Sequence, residues 1–134
     1  MMVVIDTSAL IALAETRDQY HEAAVDALKL LLLEGSTLVV PHSIITEFYD
    51  NLVSEYGKKR AVEKAENLEK SKLINIIYET VVELNLAREL FLMYDDVDVS
   101  LTDCIVFAIM ERRGLKRAFT FDSHFEMRGL EIVP

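Results

Sequence analysis

Short apolar runs alternate with longer stretches of helical periodicity. Val3-Val4-Ile5 is continuous and apolar, the pattern of a strand buried on both faces. Residues 6–14 read as a short helix. A second helix is predicted from near Asp18 through Ala24, Ala27 and Leu31 to a stop at Gly35. Thr37-Leu38-Val39-Val40-Pro41 predicts a second strand. Residues 43–56 predict a helix with Ile44, Ile45, Phe48 and Leu52 on one face, closed at Gly57. A charged helix over 58–71, a third strand over 73–78 and a helix over 80–94 follow, then a loop over 95–99. Residues 100–113 carry the clearest helical pattern, with Leu101, Cys104, Ile105, Ala108 and Ile109 on one face and Gly114 as the stop. A fourth strand over 118–121, a helical turn over 122–128 and a strand over 130–133 complete the chain. This alternation predicts an α/β fold with a mostly parallel sheet and helices on both faces.

Composition narrows the reading. The chain has 134 residues, 51% of them hydrophobic and 28% charged, which suits a globular protein with one core. A single domain over 1–134 is expected, since no linker, repeat or low-complexity tract interrupts it. A lone cysteine, Cys104, excludes a disulfide framework and a cysteine-only zinc site. No apolar run reaches about 18 residues, and no basic n-region opens the chain, so a cytoplasmic protein without membrane contact is expected.

Candidate chemistry lies in the acids. In a parallel α/β sheet, ligands bind beyond the carboxyl ends of the strands. Asp6 follows the first strand, Glu47 lies early in the helix after the second, Asp103 lies in the first turn of the helix at Ser100, and Asp122 follows the fourth strand. Asp6, Asp103 and Asp122 are equally well placed to be helix N-caps, and Ser100-Leu101-Thr102-Asp103 fits a capping box. Glu47 differs. It sits on the apolar face between Ile45 and Phe48, with no Lys or Arg within one helical turn. A carboxylate in such a place needs a proton, a donor or a cation. A carboxylate set of this kind suits Mg²⁺ or Mn²⁺. Thr7, Ser8, Ser100, Thr102 and Thr120 supply hydroxyls that cap, meet solvent, or orient a carboxylate. An aspartyl phosphatase using Asp6 as nucleophile would carry a second acid at position 8, which is serine here.

These blocks, in order, resemble the PIN-domain family, and within it the VapC-type toxin ribonucleases of toxin–antitoxin pairs. They are Asp6-Thr7-Ser8-Ala9-Leu10, Glu47, Ser100-Leu101-Thr102-Asp103-Cys104 and Thr120-Phe121-Asp122-Ser123-His124-Phe125, with the closing Gly129-Leu130-Glu131-Ile132-Val133-Pro134. The resemblance implies a three-layer α/β/α fold around a central sheet of about five strands. It implies a metal-dependent endoribonuclease acting on single-stranded RNA. Asp6 and Asp103 would be the principal ligands of Mg²⁺ or Mn²⁺, with Glu47 and Asp122 completing the site. It also implies a homodimer and a cognate antitoxin. A processing nuclease outside a toxin pair, or a PIN-like module that binds RNA or protein without cutting, are the alternatives. The expected reaction is direct hydrolysis by metal-activated water. His21 and His42 are expected to be structural. His124 is expected to pack or meet solvent, with an orienting role left open. Cys104 is expected in the core.

Charge sets a condition on RNA binding. Fourteen basic residues stand against 23 acids, for a net charge of −9. That argues against binding through bulk electrostatics. Ten of the fourteen bases fall in two windows, 58–72 and 112–117. The first contains acids that can pair along the helix, such as Glu66 with Lys70. The second contains none, which leaves it the better candidate phosphate track. Tyr49, Tyr56 and Tyr94 are expected to pack, with base stacking as the alternative.

Overall fold

The computed structural model describes residues 1–95 and 97–134. Asp96, in the loop predicted over 95–99, lies outside the described residues. The elements are β1 (Met2–Ile5), α1 (Thr7–Ala14), α2 (His21–Leu33), β2 (Thr37–Pro41), α3 (His42–Tyr56), α4 (Lys58–Lys70), β3 (Ile74–Ile77), α5 (Val81–Met93), α6 (Leu101–Arg113), β4 (Arg117–Phe119), a 3₁₀ helix (Ser123–Arg128) and β5 (Glu131–Val133). All four strand pairings are parallel, in the order β3-β2-β1-β4-β5.

The strand order follows from the apolar runs. Val3, Val4 and Ile5 of β1 and Leu38, Val39 and Val40 of β2 are all at most 1% exposed, as central strands covered on both faces must be. β3 sits at an edge and exposes Asn75. Right-handed crossovers carry the chain from β1 outward to β2 and β3, then back from β3 to β4 on the other side of β1. The helices accordingly pack mainly in two groups, α1–α4 and α5–α6, which gives helix, sheet and helix layers. The chain changes direction between β1 and β4, so the crevice beyond their carboxyl ends is the switch point where such sheets bind ligands.

Several boundaries differ from expectation for local reasons. α2 begins at His21, not near Asp18, because the Asp18 carboxylate accepts a hydrogen bond from the Tyr20 amide and holds a turn instead. β4 ends at Phe119, and the Thr120 amide makes a last bond to the Val133 carbonyl of β5 at 3.1 Å. α6 buries more than one face. Val106, Phe107 and Met110 join Cys104, Ala108 and Ile109 in the core, while Leu101 is exposed, since the helix is packed against both its neighbour α5 and the core. Gly114 ends α6 at φ 66°, a left-handed conformation that costs glycine no Cβ clash.

One tie between helices comes from outside any periodicity. Glu83 of α5 is buried, and Arg113 of α6 grips it in a fork: Nε to Oε2 at 2.7 Å and Nη2 to Oε1 at 2.8 Å. Nη2 also donates to the Tyr78 carbonyl at 2.7 Å. Among the described residues, no helix is long and apolar enough to cross a membrane.

Candidate active site

Asp6 directly follows β1 and caps α1. Its Oδ1 accepts from the Ala9 amide at 3.1 Å and the Ser8 hydroxyl at 2.7 Å, and its Oδ2 accepts from the Thr120 hydroxyl at 2.6 Å. Asp6 is 4% exposed. Burial pushes its carboxyl up from 3.8 to about 6, against the pull of those hydrogen bonds and with some help from the charge of Asp122. The same hydroxyls reach the turn after β4. Ser8 Oγ accepts from the Phe121 amide at 2.9 Å, and Thr120 Oγ1 accepts from the Asp122 amide at 2.9 Å. The ends of β1 and β4 are therefore locked together by side chains.

Asp103 and Ser100 form the predicted capping box in both directions: the Ser100 hydroxyl accepts from the Asp103 amide, and Asp103 Oδ2 accepts from the Ser100 amide. Burial raises the Asp103 carboxyl, and the charges of Asp122 and Glu47 raise it further, while the bonds from Ser100 lower it. Asp122 caps the 3₁₀ helix by accepting from the His124 amide at 2.9 Å. Glu47 is half-buried on α3 and accepts a hydrogen bond from the Thr7 hydroxyl. Asp6 and Asp122 cap helices that start where β1 and β4 end, while Asp103 joins them from the capping box of α6, which follows α5.

Asp6, Glu47, Asp103 and Asp122 line one open cleft of about 570 Å³, which no lysine or arginine lines. His124 completes the group. Its Nδ1 lies 3.2 Å from Asp122 Oδ1 and 3.6 Å from Asp103 Oδ2, yet it is buried without hydrogen-bond geometry to any described atom. Ligand atoms of Asp103, Asp122 and His124 lie within 4.8 Å of one another. The charge of Asp122 raises the proton affinity of Asp103, an effect that a cation would relieve, and a buried nitrogen without a partner adds a further donor atom. The residues present therefore fit a small divalent cation with oxygen-rich ligation.

The structure separates the remaining candidates. Ser8 and Thr120 hold Asp6, and Thr7 holds Glu47. Ser100 serves the capping box, and Thr102 lines a second depression with His42 and Ser43, which shares Glu47 with the cleft. His21 bonds the Ala12 carbonyl through Nδ1 at 2.7 Å, His42 stacks on Tyr78, and Cys104 is fully buried. His124, expected to pack or meet solvent with an orienting role left open, stands beside Asp103 and Asp122. The available signal was its spacing of two from Asp122, which a 3₁₀ turn brings back over the capping carboxylate.

The basic windows do not border the cleft. Residues 112–117 join the far end of α6 to the start of β4. The window starts nine residues beyond Asp103 on α6, so it lies about 15 Å along the helix from Asp103. Two of its four bases are also spent internally: Arg113 on Glu83, and Arg117 on Glu34 and Glu131. In α4, Lys70 pairs with Glu66 as expected, while Lys64 pairs with Glu15 at 3.2 Å and lies over the Tyr56 ring. Tyr94 accepts from Arg128 and packs edge-on to Phe107.

An all-parallel α/β/α sheet with a carboxylate cleft at its switch point defines a class: α/β proteins that gather acidic side chains where such sheets bind ligands. The PIN-domain family model matches residues 3–129, and the chain belongs to that family. It is similar to the 23S rRNA-specific endonuclease VapC20 of Mycobacterium tuberculosis, with 25% identity over 99% of both chains. The crystal structure of that protein, described as a sarcin-ricin loop cleaving toxin, superposes with a TM-score of 0.82, covering 98% of this chain and 99% of that one. VapBC2 from Rickettsia felis, bound to a promoter DNA fragment, gives 0.74 at 12% identity, covering 98% and 97%. FitAcB from Neisseria gonorrhoeae gives 0.70 at 18% identity, covering 100% and 97%. At those identities the last two speak for the fold alone.

Proposed function

We propose that this protein is an endoribonuclease that hydrolyses RNA phosphodiester bonds with Mg²⁺ or Mn²⁺, and that it is the toxin of a toxin–antitoxin pair. The observation that carries the reading is the convergence of four carboxylates in one cleft that no described lysine or arginine lines, with the His124 nitrogen beside two of them. Full-length similarity to an RNA endonuclease supports the substrate class. Asp6 and Asp103 are assigned as principal ligands, with Glu47, Asp122 and His124 completing the set. Bound there, the cation supplies a Lewis acid that lowers the pKa of water and neutralises charge developing on the phosphodiester. The protein's part is orientation. Thr120 and Ser8 hold both oxygens of Asp6, Thr7 holds Glu47, and the caps at Ser100 and Asp122 hold the two remaining acids. Such supporting bonds keep ligands at the geometry the metal requires.

Single-stranded RNA is expected to be cut in millimolar Mn²⁺ or Mg²⁺ and left intact in EDTA. The same ions are expected to raise the melting temperature by roughly 8 °C at a hundredfold excess over Kd. Cleavage in EDTA, or a melting point indifferent to both ions, would refute the metal assignment. An antitoxin and a second copy are the proposed protein partners. Val81, Val82, Leu92 and Met93 of α5 are exposed, apolar surface of the kind that partners cover. The product of a small neighbouring reading frame is expected to copurify with the protein.

A further inference from the structure

The cleft has one wall that the acids do not explain. The turn between α1 and α2 places Tyr20 at its rim, and the turn after β4 places Phe121 beside it. Their rings are stacked, with centroids 4.6 Å apart and planes 6° from parallel. Phe121 in turn meets the fully buried Phe119 edge-on at 6.2 Å. A ladder of three aromatic rings therefore runs from the core to the edge of the acidic cleft, and Tyr20, its outermost rung, is 43% exposed.

The turn that carries Tyr20 is tied down. The Asp18 amide donates to the Glu15 carbonyl at 3.0 Å, the Tyr20 amide donates to Asp18 Oδ1 at 2.8 Å, and the His21 amide donates to the Asp18 carbonyl at 3.0 Å. His21 closes the turn from below through its bond to the Ala12 carbonyl. An exposed ring held in place loses little freedom when something stacks on it.

Electrostatics says what would stack. Asp18 adds a fifth acid to the lining, and no base opposes the five. Neither basic window contributes a residue to the lining. The cleft therefore gains little from the phosphates except through a cation, and further affinity has to come from uncharged surface. An unpaired nucleobase offers a π face at the right distance from a phosphate, and stacking on an aromatic ring is the usual source of affinity for single strands.

Resting on the endoribonuclease reading, we propose that Tyr20, backed by Phe121, is the platform on which an unpaired base flanking the scissile phosphate stacks. The platform selects single-stranded RNA where the acidic cleft cannot. Tyr20 touches substrate but takes no part in proton or phosphoryl transfer.

The test uses the full chain and a single-stranded RNA that it cleaves. Tyr20→Ala is expected to raise KM by roughly 5–100-fold with kcat little changed, and Tyr20→Phe to stay near wild type. Replacing the flanking nucleotide by an abasic one is expected to penalise wild type and leave Tyr20→Ala unaffected. A 2-aminopurine at that position is expected to be quenched on binding in Ca²⁺ by wild type and not by Tyr20→Ala. An unchanged KM in Tyr20→Ala overturns the proposal. So does an equal abasic penalty in both proteins, or a fall in kcat that tracks a lower melting temperature. Unchanged RNA kinetics with weakened antitoxin binding would assign the ring to a protein partner instead. If wild type cleaves no RNA in Mn²⁺, the endoribonuclease reading fails, and the quenching comparison still decides whether Tyr20 stacks a base.

Discussion

Asp6→Asn is expected to abolish RNA cleavage while making the metal-free protein more stable at neutral pH. The two effects have one cause. Asp6 is buried with both oxygens hydrogen-bonded, and its carboxyl is raised to about 6. A carboxyl raised in the folded state contributes stability below its ordinary value of 3.8, and that contribution disappears as pH climbs through about 6. Above that pH the metal-free protein holds a charge it would prefer to lose, at a cost on the order of 3 kcal/mol. Asparagine keeps the cap, since its oxygen still accepts from the Ala9 amide and Ser8. Its amide nitrogen can donate to the Thr120 hydroxyl, which has lone pairs to accept. In EDTA the variant's denaturation midpoint should therefore fall less between about pH 4 and pH 7 than that of wild type, the remainder coming from Asp103. Cleavage should drop at least ~100-fold, more than is lost when only a supporting group of a metal site is altered. Retained cleavage, or lower stability than wild type at neutral pH in EDTA, would show that Asp6 is a cap and nothing more.

Arg113→Ala is expected to be strongly destabilising although it lies far from the cleft, at about 2–4 kcal/mol by urea denaturation. The buried Glu83 carboxylate would lose both arms of its fork, and the Tyr78 carbonyl would lose its donor. Removing one partner of a buried pair costs about 3–5 kcal/mol, and the value here is lower because the Arg113 side chain is 32% exposed. The Arg113 guanidinium is also the main reason the Glu83 carboxyl sits near 2, below its ordinary 4.5. For a depressed acid the stabilisation is present above 4.5 and lost as pH falls through about 2. The gap between variant and wild type should thus narrow toward about pH 3, as Glu83 in the variant takes up a proton. Arg113→Lys should fall between the two, since an ammonium keeps the charge and loses the fork. A cost under about 1 kcal/mol for the alanine variant would mean the pair is no better than a surface one.

Much of this molecule was legible in local pattern. The apolar runs of β1 and β2, the one-face spacing of α3 and the stops at Gly57 and Gly114 are short-range signals, and the elements formed where those signals lay. The capping box at Ser100 was readable from four consecutive residues. Glu47 was legible as an oddity, a carboxylate on an apolar face, and its partner proved to be the Thr7 hydroxyl 40 residues away. The errors were also informative. The acid-free window at 112–117 looked unpaired because its counter-charges, Glu34, Glu83 and Glu131, lie outside it in the chain.

By itself, then, the sequence determined which residues become strands and helices, which acids stand at helix starts, and that Asp6 and Asp122 follow strands directly. Each of these depends on neighbours within about one turn or one strand, where periodicity and capping act. Only the tertiary structure decided that β1 and β4 lie side by side with the switch point between them, which brings Asp6 to Thr120 across 114 residues. The same packing swung His124 over Asp103, stacked Tyr20 on Phe121, and sent the basic window to the opposite end of α6. Strand order and long-range partners are settled by burying one shared core, a condition on the whole chain that no short stretch of sequence contains.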